Sequence, residues 1–269
     1  MNAATRIGRP DLGLIAPGKR ADVVILEDVE GVVAKAVVAN GGLVSEGRHL
    51  KTAPSAIKPP AALTDSINLR EILAEDFEIG ASAASVRIAT LSKPRFPEWG
   101  ERVVPTRDGK LVLSDDMIRM AVINRYGRNT PVRVAFLENW GTWRGAFATT
   151  VSHDSHNVTV FGRDPEDMAV AANALRAAGG GLCAVAGRKV VAQVELPLGG
   201  LASDAPLDQV ASDFAIVRDA MNKLVDWEPP YLVLKALFGA SLVCNAGPRL
   251  SDVGIVDVFA ERLLETPVL

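Results

Sequence analysis

Residues 164–196 read DPEDMAVAANALRAAGGGLCAVAGRKVVAQVEL, and this segment combines the signals of a capped helix with those of a β-hairpin. Asp164 can cap the first helical turn, and Pro165 suits the first helical position. Gly179 is typical of a residue that ends a helix. The segment therefore predicts a helix that begins after Asp164 and ends at Gly179.

The second half of the same segment predicts two antiparallel strands. Residues 182–186 and 190–196 are mostly apolar or β-branched, and Gly187-Arg188-Lys189 lies between them as a turn. A helix followed directly by a hairpin differs from the strict strand–helix alternation of a parallel sheet. The segment therefore indicates the α+β class, with a mixed sheet-and-helix domain.

The surrounding sequence continues this pattern in both directions. Runs of β-branched and apolar residues predict further strands, and capping signals with apolar periodicity predict further helices. The predicted strands are residues 86–91, 132–137, 145–151 and 157–161, and the predicted helices are residues 64–74 (with Thr64 as N-cap), 114–126 and 206–225. We interpret residues 63–269 as one α+β domain.

The first fifty residues are organised differently. Residues 21–26 and 32–39 predict short strands, and Asn40-Gly41-Gly42 predicts the turn of a hairpin. Three or four short strands cannot bury both faces of a sheet, so we interpret residues 1–51 as part of a small β-sandwich. Residues 52–62 contain three prolines and few large apolar side chains, which predicts a linker.

Composition argues against several classes of partner. The 269 residues are 48% hydrophobic and 23% charged with a net charge of −3, which gives no reason to expect nucleic acid. Cys183 and Cys244 lie far apart in apolar runs, which predicts buried thiols in a reducing compartment. Residues 1–20 lack the apolar core of a signal peptide, and residues 231–246 are too short to span a bilayer and contain Lys235. We expect a cytoplasmic protein without a membrane partner.

The strongest candidate site is the polar run Ser152-His153-Asp154-Ser155-His156-Asn157, which lies between two predicted strands. Two imidazoles and a carboxylate can bind a metal, transfer a proton or hydrogen-bond a heterocycle, so His153, Asp154 and His156 are candidate catalytic residues. Ser152, Ser155 and Asn157 are candidate substrate-binding residues in an exposed loop. The alternative is a turn whose side chains bond to their own backbone.

Trp140 and Trp143 lie in a predicted turn between strands. Their indole rings would suit a pocket in which a planar base stacks, which makes both residues candidate substrate-binding residues. The alternative is that they anchor the turn to the hydrophobic core.

Several of these segments resemble adenine deaminases of the amidohydrolase superfamily, in their C-terminal region only. Residues 13–26 and Val38-Ala39-Asn40-Gly41 resemble the segment that follows the metal-bearing barrel in amidohydrolases. The run TTVSHDSHN at residues 149–157 is the most specific match to adenine deaminases. Residues 164–168, 179–182 and 196–201 also match.

The resemblance implies an aminohydrolase that converts adenine and water to hypoxanthine and ammonia, with a purine base as substrate. The family's chemistry uses a binuclear manganese or iron centre in a (β/α)8 barrel. That barrel is expected to be absent from this chain, whose three histidines cannot supply the ligand set. No metal is therefore expected on this chain alone.

Two hypotheses about function follow from the resemblance. In the first, the chain contributes His153, Asp154 and His156 to a site shared with a partner barrel domain and is inactive without it. In the second, the domain is non-catalytic, packs on the barrel or mediates homo-oligomerisation, or is a truncated remnant.

Overall fold

In the computed structural model, the chain forms two compact units, Met1–Lys58 and Pro59–Leu269. The structure describes residues 2–52, 58–128, 130–227 and 233–269. The division falls within residues 52–62, the predicted linker, of which residues 53–57 lie outside the described residues.

The N-terminal unit is built on one antiparallel sheet. It contains a short helix, α1 (Asn2–Arg6), and four strands in sequential order, β1 (Val23–Asp28), β2 (Val33–Ala39), β3 (Gly42–Glu46) and β4 (His49–Leu50). The predicted hairpin is confirmed as β2–β3, whose turn has positive φ at Asn40 and Gly41. Val24, Ile25 and Leu43 are exposed, so part of the apolar surface of this sheet remains uncovered.

We expect the N-terminal sheet to be the least protected part of the chain in hydrogen exchange, because few of its side chains are buried. Amides of β1 should exchange much faster than those of Val158–Gly162, where every residue is buried. Exchange at β1 as slow as at that core strand would show that the N-terminal sheet is stable without further partner strands.

The C-terminal unit contains most of the regular structure. Its helices are α2 (Ala61–Thr64), α3 (Pro165–Ala178), α4 (Leu207–Leu224) and α5 (Val233–Phe238), with a 3-10 turn at Ala74–Phe77. Its strands are β5 (Ser85–Ser92), β6 (Glu98–Arg107), β7 (Lys110–Leu111), β8 (Met117–Ile123), β9 (Arg133–Glu138), β10 (Thr142–Trp143), β11 (Ala146–Thr149), β12 (Val158–Gly162), β13 (Gly181–Ala186), β14 (Lys189–Glu195), β15 (Val225–Asp226), β16 (Arg249–Ser251), β17 (Gly254–Asp257) and β18 (Arg262–Leu264).

Nine strands form one central sheet in the order β14-β13-β11-β12-β8-β9-β5-β6-β7. All of its paired neighbours are antiparallel except β5 and β9, which run parallel over three residue pairs. Smaller sheets pair β10 with β15 and β16 with β17 and β18. This mixed sheet with helices confirms the coarse α+β prediction.

Helices cover both faces of the central sheet. On one face Met120 of β8 shares a core with Met221 of α4 and Leu237 of α5. On the other face its neighbour Ala121 shares a core with Leu175 of α3. Successive residues of a strand point to opposite faces, so β8 contributes to both cores and lies at the centre of the unit.

The predicted helix and hairpin of residues 164–196 are confirmed. The Asp164 carboxylate accepts a hydrogen bond from the Glu166 backbone N–H at 2.9 Å, and Gly179 ends α3 in the left-handed conformation. β13 and β14 then form the hairpin. The prediction for residues 206–225 is confirmed as α4, which follows Pro206.

The predicted helix over residues 114–126 is wrong, because most of this segment is strand β8. All seven residues of β8 are buried, since helices cover the sheet on both sides. A strand buried on both faces has no apolar–polar alternation, and its apolar spacing can be mistaken for one face of a helix. Arg119 is accommodated because it pairs with Glu78 at 2.9 Å and donates to the Arg163 carbonyl.

The predicted helix over residues 64–74 is also wrong, because Thr64 is the last residue of α2 rather than an N-cap. The segment that follows is bonded to side chains of α3. The Asn173 side chain exchanges two hydrogen bonds with the Ile72 backbone at 3.0 and 2.7 Å, and Arg176 Nε donates to the Leu69 carbonyl at 2.8 Å. These tertiary contacts override the local helical preference.

The two cysteines, both predicted to be buried, differ in exposure. Cys183 is buried as predicted, and burial raises its pKa to about 12. Cys244 is exposed, so its predicted burial is wrong.

No helix among the described residues is both long and apolar enough to cross a bilayer. Residues 231 and 232 of the apolar run at residues 231–246 lie outside the described residues.

Candidate functional site

The polar run connects β11 to β12, which are interior strands of the central sheet, and it lies at the edge of that sheet that is formed by the ends of strands. Its first residue, Ser152, is fully buried and acts as an anchor. Ser152 Oγ lies 2.6 Å from Thr159 Oγ1 and 2.5 Å from Ser241 Oγ, and Ser241 Oγ also donates to the His153 carbonyl at 3.0 Å. These bonds attach the loop to the segment after α5.

The two histidines of the run lie side by side. Their ring centroids are 5.2 Å apart, with the planes inclined at 63°. His153, Asp154 and Ser155 are exposed, whereas His156 is half-buried. His156 Nδ1 accepts the Ser152 backbone N–H at 3.3 Å, and Tyr126 Oη donates to the Ser155 carbonyl at 2.5 Å. The loop therefore presents both imidazoles from a backbone held by hydrogen bonds.

The prediction of a wholly exposed loop is wrong at both ends. Ser152 and Asn157 are buried, and Asn157 Oδ1 accepts the Arg125 backbone N–H at 3.4 Å. Both side chains bond to neighbouring segments rather than to the backbone of the loop itself, so they anchor the two ends of the loop. Between them, His153, Asp154 and Ser155 remain accessible to a ligand.

His156 is held in its neutral form near pH 7. Burial lowers its pKa below 6.5, and the neighbouring His153 and Arg125 side chains lower it further. A hydrogen bond from the ring to the Thr150 backbone opposes this lowering in part. The neutral ring has one N–H donor and one acceptor nitrogen.

The lowered pKa of His156 predicts a pH dependence of stability. Below pH 6.5 the unfolded chain binds a proton at this histidine before the folded chain does, so acid destabilises the fold. We expect His156→Gln to show a smaller loss of Tm than the wild type between pH 7.5 and 5.5. His49→Gln, at an exposed position, is the matched control and should follow the wild type. Parallel curves for His156→Gln and the wild type would contradict the assignment.

Trp140 and Trp143 do not line an open surface. Both are buried, at 1% and 3% exposure, which corrects their prediction as stacking residues. Trp143 stacks on Phe161 with centroids 6.3 Å apart, and Trp140 meets the Trp227 ring edge-on at 6.2 Å. Trp143 Nε1 donates to the Trp140 carbonyl at 2.9 Å. These contacts favour the alternative, in which the two residues anchor the turn to the core.

The sequence interpretation missed Arg125, which lies beside the loop. Its side chain is only 3% exposed, packs over the Tyr126 ring at 5.1 Å and donates to Ser66 Oγ at 3.4 Å. Within the part of the chain that the structure describes, Nε has no hydrogen-bond partner and no carboxylate pairs with the guanidinium. An arginine in a predicted helix gives no sequence signal of this burial.

Two glycine-rich turns meet the same edge of the sheet. Thr150 Oγ1 donates to the Gly200 carbonyl at 2.5 Å and accepts the Gly181 backbone N–H at 2.8 Å. Gly200 has a φ of +71°, which favours glycine, and a Cβ there would lie 2.3 Å from Arg125 Nη1 and would require the buried arginine to shift. Residues 150–157, 179–181 and 196–201 are thus brought together around Arg125.

The donor set does not fit a binuclear metal centre. Across the described ranges, no group of three or more His, Cys, Asp or Glu side chains is arranged to hold a metal ion. His156 Nδ1 already accepts the Ser152 backbone N–H, so this nitrogen is not free to bind a metal ion. The accessible side chains can donate or accept hydrogen bonds to a heterocycle, and they can exchange protons with it.

The C-terminal unit is thus an α+β domain that places an imidazole pair, a buried guanidinium and two glycine turns at one edge of its sheet. A match to the family described as "Adenine deaminase C-terminal domain" covers residues 95–262. The chain belongs to this family.

Curated relatives carry matching names. The chain is 52% identical over 272 residues to "Adenine deaminase 2" of Rhizobium meliloti (strain 1021), which covers 100% of this chain and 45% of the relative. It is 48% identical to "Adenine deaminase 2" of Agrobacterium fabrum, with 100% and 45% covered. It is 42% identical to "Adenine deaminase" of Klebsiella pneumoniae (strain 342), with 98% and 45% covered. The chain therefore spans somewhat less than half the length of these relatives.

Proposed function

We propose that this chain acts as the C-terminal portion of a cytoplasmic adenine-deaminase-like aminohydrolase, with adenine and water as substrates and hypoxanthine and ammonia as products. In this proposal, the loop at residues 152–157 faces the substrate side of a metal-bearing barrel domain. The observation that carries it is the convergence of residues 150–157, 179–181 and 196–201 at one edge of the sheet. These three segments are also among those whose sequences resemble the adenine deaminases, so the resemblance is concentrated at this place in the fold.

The side chains at this edge suit a purine base. Ring nitrogens of a purine accept hydrogen bonds, and a neutral imidazole such as that of His156 has one N–H donor and one acceptor nitrogen. His153 and the Asp154 carboxylate are exposed beside it and can accept a proton or a hydrogen bond. We assign to these three residues the binding and orientation of the base and proton exchange with it.

The family's binuclear manganese or iron centre supplies an activated water when it is bound in the barrel. Because the described side chains of this chain do not fit that centre, we assign no step of metal chemistry to them. The partner implied by the proposal is a barrel domain that carries the whole ligand set.

A second candidate function is a non-catalytic domain that packs on the barrel or mediates homo-oligomerisation. The hydrogen bonds of the Ser152 and Asn157 side chains to neighbouring segments favour it, because polar groups that are already paired within the protein are not free to bind a ligand. The two candidates differ in whether loss of an exposed imidazole changes turnover.

We expect the purified chain to release no ammonia from adenine when manganese or ferrous iron is added. Addition of the part of the Rhizobium meliloti relative that this chain does not match should give metal-dependent release, because that part is expected to carry the barrel. The measurement is ammonia production against a metal-only control and against the added part alone. Turnover by the isolated chain that survives repeated purification, or no gain on mixing with a folded metal-loaded partner, would contradict the proposal.

A further inference from the structure

An open cleft of about 540 Å³ lies between α4, α5 and the loop at residues 152–157. Its walls are largely apolar and come from Phe214 and Met221 of α4 and from Leu234 and Phe238 of α5. The volume is within the range of small-molecule sites, which is roughly 300–1,000 Å³. Phe214 is 37% exposed, so an aromatic surface is accessible to an incoming ring.

The polar side chains of the cleft are cationic or neutral. Arg218 of α4, Lys235 of α5 and His153 of the loop line it together with the Asn222 amide, and none of its described lining residues is acidic. The nearest ion pair joins Arg218 Nε to Asp219 at 3.5 Å, with both side chains more than half exposed. Such an exposed pair is weak, so the charge of Arg218 remains available to a ligand.

Lys235 has no ion pair or hydrogen bond to any side chain in the part of the chain that the structure describes. Positive charge is therefore concentrated at an apolar cleft in a chain whose net charge is −3. Apolar walls favour a ring system, and the two cationic side chains that line the cleft favour an anionic group.

We propose that this cleft binds small planar organic anions, in which an aromatic ring system carries a sulfonate, carboxylate or phosphate group. The ring packs against Phe214 and Phe238, and the anionic group lies between Arg218 and Lys235. Asn222 offers an amide for a polar substituent. This inference does not rest on the proposed deaminase function, because the groups assigned to the ligand lie on α4 and α5, and His153 of the loop is the one lining residue shared with that proposal.

The test uses the full chain and two fluorescent probes of similar ring system, anionic 8-anilinonaphthalene-1-sulfonate and neutral N-phenyl-1-naphthylamine. We expect Phe214→Ala to weaken binding of both probes, roughly fivefold to thirtyfold, because an apolar contact is lost. Lys235→Gln and Arg218→Gln should weaken the anionic probe roughly threefold to tenfold and leave the neutral probe within about twofold. Added salt should weaken only the anionic probe.

Matched control variants locate the binding. Phe96→Ala removes an exposed phenyl group outside the cleft, and Lys223→Gln removes an exposed charge on α4 that does not line it. Both should bind the probes as the wild type does. Circular dichroism of each variant separates loss of the fold from loss of the site, and Phe214→Leu keeps the apolar wall if Phe214→Ala fails to fold.

Three outcomes would overturn the proposal. Equal affinities of folded cleft variants and wild type would place the probes elsewhere on the protein. If Lys235→Gln changed the affinities for the two probes equally, the anionic group would have no role in binding. A change of oligomeric state in Phe214→Ala, measured by analytical ultracentrifugation, without a change in probe affinity would assign the cleft to contact between copies of the chain.

Discussion

Gly181→Ala is expected to prevent the C-terminal unit from reaching its native fold. Gly181 begins β13 with φ at +134°, a conformation that residues with a Cβ rarely adopt. An added Cβ would lie 1.9 Å from the Val194 carbonyl oxygen and 3.2 Å from the Leu196 backbone nitrogen. The neighbouring atoms are backbone of the paired strand, so no side-chain rotation relieves the clash.

The expected cost exceeds about 4 kcal/mol, a large share of the roughly 5–15 kcal/mol by which domains are stable. Thermal unfolding followed by circular dichroism should show a loss of more than about 8 °C or no cooperative transition. Gly187→Ala is the matched control, because Gly187 also has positive φ but a Cβ there would meet no atom within 4 Å. Equal losses in the two variants would show that the close approach at Gly181 is not needed.

His153→Ala and His156→Ala are each expected to lower adenine turnover by about tenfold to a thousandfold in an enzyme that contains the barrel. The reason is loss of a positioned hydrogen bond or proton-exchanging group at the edge of the sheet. The measurement is kcat for ammonia release by this chain joined to a barrel domain. His49→Ala, an exposed histidine of the N-terminal sheet, is the control and should retain full turnover.

The packing alternative predicts the opposite pattern for the same variants. His156 is half-buried, and its ring accepts a hydrogen bond from Ser152, so its loss would lower the Tm without changing turnover. Full activity in both alanine variants, together with a Tm lower by several degrees, would show that the loop is a structural turn.

The sequence predicted the elements whose signals are local. α3 follows from the Asp164 cap and the terminal glycine, and the β13–β14 hairpin follows from its turn. Strand β8 could not be predicted from the local sequence, because burial on both faces is a property of the whole sheet. The extended course of residues 65–73 depends on Asn173, about one hundred residues away in sequence.

The same distinction applies to the candidate site. A polar run between two strands identified His153 and His156, but it did not show that Ser152 would be buried against Ser241. The sequence did not predict that Arg125 belongs to the site. Its burial there depends on Gly200 and Thr150, and only the folded sheet brings these residues together. For Trp140 and Trp143 the sequence left two interpretations open, a stacking pocket and anchoring to the core, because neighbouring aromatic residues in sequence do not indicate which side of a turn faces the core.

The order of strands in the central sheet has a kinetic consequence. β11, β12, α3, β13 and β14 follow one another in the chain and pack together, so their contacts close short loops. The β5–β9 pair joins Thr90 to Phe136 and carries only three parallel residue pairs. Because long-range pairing slows folding, we expect residues 146–195 to form the folding nucleus of the C-terminal unit. Within that unit, we expect the β5–β6–β7 edge to join late and to open first under denaturant.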